Sequence, residues 1–217
     1  TGLRLESSVR PGQAVLKNCR LQALGGSLAV RAHLHTTASA GRYPVQAQAE
    51  FKEMHLPEVF SLAQTLQLAV PAPHNVRGVV RGAADVRSTL DADFLPRLQH
   101  THAYLQTQVQ GLELLDVDAL MQALRFLREK RTRHLVFEPL QAQLFLDKGL
   151  VLLPDLRLPS NLTDLAVSGE YALTGQHANL YIGLRPTQAL FGNNNQRVAR
   201  IQQGETAGLR ERRLTYV

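Results

Sequence analysis

Along most of this chain, apolar and polar residues alternate, and glycine, proline and short polar runs break the alternation. A period of two marks a strand with one dry and one wet face. The pattern is clean where Leu28, Val30, Ala32 and Leu34 face one way and Arg31, His33 and His35 the other. It is equally clean where Val45, Ala47, Ala49 and Phe51 alternate with Gln46, Gln48 and Glu50. Leu3 and Leu5 alternate with Arg4 and Glu6, and Ala14 and Leu16 follow more weakly. Gly25-Gly26 marks a turn and Thr36 to Gly41 a loop. Residues 75–90 and 101–110 are strand-like, with Gly78 and Gly82 as bends or bulges.

In two places the period lengthens to that of a helix. Leu56, Val59, Phe60, Ala63 and Leu66 make a short one. Pro57 opens it, where a missing N–H does no harm, and Pro71-Ala72-Pro73 follows as a stiff linker. The second is predicted from Asp116 to Arg131, with Val117, Leu120, Met121, Leu124 and Leu127 as its apolar stripe. Asp116 and Asp118 near its start, and Arg125, Arg128, Lys130 and Arg131 near its end, complement the helix dipole. Beyond it lies a meander. Leu144 and Leu146, then Val151 and Leu153, then Leu165 and Val167, then Leu180, Ile182 and Leu184 form successive apolar rows between turns. Pro154 and Pro159 suggest an edge strand or a bend there. Residues 191–195 are expected as a turn, 204–208 as a loop and 214–217 as a last strand.

The predicted class is therefore α+β and β-rich: an antiparallel meander with two helices packed on or capping it. One module over residues 1–217 is expected, with a sub-boundary near 71–75. The chain has 217 residues, 44% hydrophobic and 19% charged, which argues for a packed core and against disorder. No apolar run approaches the roughly 20 residues that cross a bilayer as a helix. The net charge of +6 favours anionic surfaces without choosing among headgroups, lipopolysaccharide and nucleic acid. Cys19, the single cysteine, excludes an internal disulfide and reads as a small buried apolar residue.

The order of elements resembles the C-terminal region of AsmA-like proteins of the Bacteroidetes type. The phrases that carry the resemblance are Gly25-Gly26-Ser27-Leu28, Leu56-Pro57-Glu58-Val59-Phe60, Leu115 to Leu120, Phe137-Glu138-Pro139-Leu140, Leu146-Asp147-Lys148-Gly149, Asp155 to Leu158, Asp164 to Gly169 and Leu180 to Leu184. These proteins are similar to the bacterial bridge-like lipid transfer group. The resemblance implies a periplasmic body tethered to the inner membrane of a Gram-negative bacterium by an N-terminal anchor. It further implies a curled sheet with an apolar groove, and a part in moving phospholipid between membranes and in outer-membrane integrity and biogenesis. This chain is then expected to be one end of a longer, membrane-anchored protein, non-enzymatic and without cofactor. Its expected partners are a phospholipid or other acyl-chain lipid, the membrane surface and an envelope protein, not nucleic acid.

Leu144, Leu146, Val151, Leu153, Leu165, Val167, Leu180, Ile182 and Leu184 are the candidates for lipid contact. Alternation leaves open whether that face lines a groove or is closed by the two helices as an ordinary core. Arg125, Arg128, Lys130, Arg131 and Arg133 are the candidates for contact with anionic headgroups, and Arg197, Arg200, Arg210, Arg212 and Arg213 form a second basic cluster. Aromatics do not interleave with either cluster as nucleic-acid binding would require, apart from Phe126 and Tyr216. Both clusters also read as ordinary helix-end and solvated charge. His33-Leu34-His35 and His100-Thr101-His102 place imidazoles on one face of a strand, but no further ligand at suitable spacing completes a zinc site. Asp91-Ala92-Asp93 falls in a turn, and Asp116-Val117-Asp118 reads as helix capping. Asn161-Leu162-Thr163 fits the glycosylation acceptor pattern, which has meaning only in a eukaryotic secretory route. No nucleophile elbow, P-loop, dinucleotide fingerprint or zinc-protease motif is present. The alternative expectation is a scaffolding domain that binds an envelope protein by adding strands at a sheet edge.

Overall fold

A computed structural model describes residues 3–36, 41–125, 132–174, 177–185 and 194–202. It is β-rich, 62% strand against 16% helix, and is built on one curled antiparallel sheet that does not close. The first four strands are β1 (Arg4–Arg10), β2 (Gln13–Ala23), β3 (Gly26–His35) and β4 (Tyr43–His55). Then come helix α1 (Leu56–Thr65), β5 (Val76–Leu90), β6 (His102–Leu115) and helix α2 (Asp118–Ala123). The meander is β7 (His134–Val136), β8 (Leu140–Asp147), β9 (Leu150–Pro159), β10 (Asp164–Ala172) and β11 (Ala178–Leu184), and helix α3 (Asn194–Gln202) follows. The sheet runs β1-β2-β3-β4-β5-β6-β8-β9-β10-β11, with short β7 also on β6. Consecutive strands are neighbours almost throughout, as antiparallel hairpin connections favour.

Bulges interrupt the register between Phe51 and Met54 in β4, between Arg77 and Val79 in β5, and between Val167 and Gly169 in β10. Such interruptions bend and twist a strand. At Gly169 the backbone takes φ +128°, and a Cβ there would lie 2.1 Å from the Asn179 carbonyl oxygen of β11. Only glycine allows β11 to close in at that point.

Two cores form, both at the same end of the strands. Met54, Leu56, Val76 and Val80 are buried together, with Leu28, Phe51, Val59, Phe60 and Val109 packed around them. Pro57 lies in the first turn of α1, as its position predicts. The second core joins Leu124, Leu135, Phe137, Leu162 and Leu165, flanked by Leu120, Leu158, Ile182 and Leu184. Beside it Ser160, Asn161 and Thr163 are buried polar residues. The Asn161 carboxamide accepts from the Val136 N–H at 3.0 Å and donates to the His134 carbonyl at 3.2 Å. The would-be glycosylation acceptor is thus spent on holding β7 to the β9–β10 turn.

Three sequence expectations are corrected. The helix expected over Asp116–Arg131 is described over Asp118–Ala123 and gives way to a turn at Leu124 and Arg125. Asp116 stands outside it with φ 47° and accepts from the Arg133 guanidinium at 2.6 Å. Leu127, Arg128, Lys130 and Arg131 lie outside the described residues. Next, β9 is an interior strand and not an edge; its prolines mark the bend instead, for Pro154 and Asp155 stand against Ser168 alone where the register with β10 shifts. It pairs with β10 on both sides of that shift but with β8 only at Leu150, Val151 and Leu152. Pro154, without an N–H, sits where no ladder pair joins Leu140–Leu144 to Leu153–Leu158. Pairing resumes at Phe137 and Ser160. Finally, Asn194 and Asn195 begin α3, not a turn. Arg197 anchors that helix on Asp164 at 3.0 Å. The rest of the expected 191–195 turn, the 204–208 loop and the 214–217 strand lie outside the described residues.

Candidate functional site

The ladder registers assemble one apolar face across the whole sheet. Ala14, Leu16, Cys19 and Leu21 of β2 stand opposite Leu34, Ala32, Val30 and Leu28 of β3. Those in turn stand opposite Val45, Ala47, Ala49 and Phe51 of β4. The face continues through Val86 and Ala84 of β5 to Ala103 and Leu105 of β6, and on to Leu146 and Leu144 of β8. Leu146 faces Val151, Val151 faces Tyr171, and Leu153 faces Gly169. Val167 faces Ile182 and Leu165 faces Leu184, while Leu180 lies opposite Gly169. Every residue expected to contact lipid therefore shares this face.

The face is concave along one diagonal, and chain length demonstrates it. At the lower end of β6, Asn75 Nδ2 donates to the Leu115 carbonyl at 2.6 Å. At the upper end of β10, the Ala69 N–H donates to the Leu173 carbonyl at 2.8 Å. The chain from Ala69 to Asn75 can span at most about 20 Å. Leu173 is bonded to Gly149, and Lys148 to Thr101, so it lies level with the top of β6. On a flat sheet, the diagonal that runs from Thr101 to Leu115 along the strands and from β6 to β10 across them would be about 48 Å. The short connection closes that distance only if the sheet curls towards the side on which the connection lies. That side is the apolar one, because α1 packs on Phe51 and Val80 and the Tyr171 hydroxyl donates to the Ala69 carbonyl.

The apolar face thus becomes the floor of a trough, and its two ends differ. The lower end is filled. Leu165, 2% exposed, lies in the core with Ile182 and Leu184 packed against it. The upper rows of β2–β5, including Leu16, Ala32, Leu34, Val45, Ala47 and Val86, belong to neither core and are half-buried. Leu144, Leu146, Val151, Leu153 and Val167 are half-buried too, and Leu180 on the last strand is 40% exposed.

The opposite face is wet. It carries Arg31 and His33, Gln46 and Gln48, Asp85 and Arg87, His102, Tyr104, Gln106 and Gln108, and Gln141 and Gln143. Two open furrows, about 920 and 810 Å³, lie on it. The larger contains the Tyr104–Phe145 ring pair, with centroids 4.9 Å apart. The smaller follows the stretch where β8 and β9 are unladdered, lined there by Gln141, Gln143, Pro154 and Asp155.

Of the basic residues expected at headgroups, Arg125 and Arg133 are described and exposed, and Arg133 is held by Asp116. In the second cluster Arg197 is half-buried on Asp164, and Arg200 is exposed. Arg210, Arg212 and Arg213 fall outside the described residues. His33, His35 and His102 stay on the wet side, where His102 meets Asp147 at 2.6 Å, but His100 lies in the 3-10 turn Leu98–His100 and not on a strand; among the described residues no three His, Cys, Asp or Glu side chains converge as metal ligands. Asp91 accepts from the N–H groups of Asp93 and Leu95, so the first Asp-x-Asp is a turn.

Alternation in the sequence pointed to the floor of the trough. It gave no sign of the segment that crosses it, because the Tyr171–Ala69 contact joins residues far apart in the chain. No protein-family model matches this chain, and no curated protein or solved structure shows significant similarity to it.

Proposed function

We propose that the trough shelters acyl chains, and that the protein is a non-enzymatic lipid-handling module of a Gram-negative cell envelope. On this reading it lies in the periplasm, tethered to the inner membrane, and serves phospholipid movement and outer-membrane integrity. One observation supports it above the others: an apolar face that spans the sheet, bends inward and, among the described residues, is filled by helix and core at its lower end. Each methylene moved from water onto such a surface contributes about 0.8 kcal/mol, so a single acyl chain has ample driving force. The AsmA-like phrases of the sequence point the same way.

The direct test is organic extraction of the purified protein followed by mass spectrometry, with uptake of a fluorescent phospholipid as the second measurement. Co-purified phospholipid and saturable uptake are the expected results. A lipid-free preparation that takes up no probe defeats the proposal.

A second reading rests on a separate observation. Strand β1 lies at an edge of the sheet, and its Leu5 and Val9 are 58% and 78% exposed. An open apolar edge is a template for another strand. If a protein partner co-purifies without lipid, and Val9→Lys releases it, the scaffolding reading replaces the lipid one.

A further inference from the structure

We infer that residues 66–74 form a movable strap over the trough, latched at its far rim by Tyr171, and that opening it admits the acyl chain. This deepens the proposed function and rests on it.

Both ends of the strap are tied to the lower rim. α1 packs on Phe51 and Val80 through Val59 and Phe60. On the other side Asn75 is bonded to the carbonyls of Leu115 and Asp116. Between these anchors the chain crosses to the upper rim and touches β10 at its apex. Two hydrogen bonds fasten that apex: the Ala69 N–H to the Leu173 carbonyl, and the Tyr171 hydroxyl to the Ala69 carbonyl. Pro71 and Pro73 have no N–H with which to add a ladder bond on the returning limb. The anchors are built from packed side chains, whereas the latch is a single residue's worth of bonding.

The strap also has a pivot at each end. Gln67 closes the helix with φ 59°, a left-handed conformation that a non-glycine residue adopts at a cost. At the other end Pro73–Asn75 forms a single 3-10 turn. Leu68, Ala69 and Val70 are half-buried beneath the latch, while Leu62 and Leu66 are 46% and 47% exposed just before it. Apolar residues therefore occur both at the latched part of the strap and on the open part of the helix leading to it. An acyl chain under a raised strap would meet these side chains in place of water. Tyr171 belongs to the trough face, so its ring borders the same space that its hydroxyl closes.

The experiment compares the wild-type chain with Tyr171→Phe, which deletes the hydroxyl and keeps the ring. The second variant is a staple, Ala69→Cys with Leu173→Cys, in a Cys19→Ala background. Hydrogen exchange at the Ala69 amide and stopped-flow uptake of a fluorescent phospholipid are read together, with thermal unfolding as a check on the fold. Loss of one hydrogen bond predicts roughly two- to tenfold faster exchange at Ala69 and faster uptake of similar extent in Tyr171→Phe. The oxidised staple should block uptake, and reduction should restore it. Uptake indifferent to both variants, in a protein that still binds the probe, overturns the strap and leaves the lipid proposal standing. No uptake by the wild type, whatever the exchange at Ala69, defeats the lipid proposal and the gate with it.

Discussion

At the scale of single residues, the buried polar group at Asn161 matters more than its surface-motif appearance suggests. Its carboxamide satisfies a buried N–H and a carbonyl that have no other described partner in that turn. Asn161→Ala leaves both unpaired, and a loss of about 1–3 kcal/mol is expected, read as a lowered midpoint in urea unfolding. Arg133 offers the contrast. Its ion pair with Asp116 is short, but both side chains are about half exposed. Arg133→Ala should change stability by less than about 1 kcal/mol in the same assay. Gly169 is the third residue with a definite expectation. Because φ is +128° and the space is taken by the Asn179 carbonyl, Gly169→Ala should loosen β11 and speed amide exchange along Ala178–Leu184. None of these three roles could be read from the sequence. Each depends on which distant backbone comes near, and residue type does not encode that.

At the scale of elements, local patterns served well wherever an element answers to its own periodicity. The strands β3 and β4 begin and end near where alternation begins and ends, since one face of each is dry and the other wet. α1 was legible from Leu56, Val59 and Phe60 because those side chains are the ones that pack. α2 departs from its pattern because Asp116 is turned out to meet Arg133 and Leu124 leaves helical geometry at the other end. α3 went unseen because its opening asparagines are turn formers, and the bond that anchors it, Arg197 to Asp164, is tertiary. The packing of α1 carries its own prediction. Leu56 is 8% exposed within its core. Leu56→Ala should cost about 2–5 kcal/mol and, by loosening the base of the strap, increase binding of an apolar dye.

At the scale of the whole molecule, the curl was expected from resemblance, but its direction rests on a short stretch of chain. Strand patterns identify which residues share a face; only the span from Ala69 to Asn75 says which way that face bends. A charge placed on the half-buried floor, away from both cores, tests the molecule as a container. Ala47→Asp should leave unfolding nearly unchanged and reduce lipid uptake severalfold, because a carboxylate on the floor must be desolvated when a chain lies over it. Equal uptake by this variant would show that the chain lies elsewhere.

The gap in the ladder between β8 and β9 also has a mechanical meaning. It divides the wall into two panels, stitched at Leu150–Leu152 above and at Phe137–Ser160 below, with a seam between the stitches. A cargo too wide for the resting vessel would be accommodated there first, by the panels parting and not by melting a strand. Under load, the amides of the upper stitch, Phe145–Asp147 and Leu150–Leu152, should lose protection before those of any strand paired along its full length.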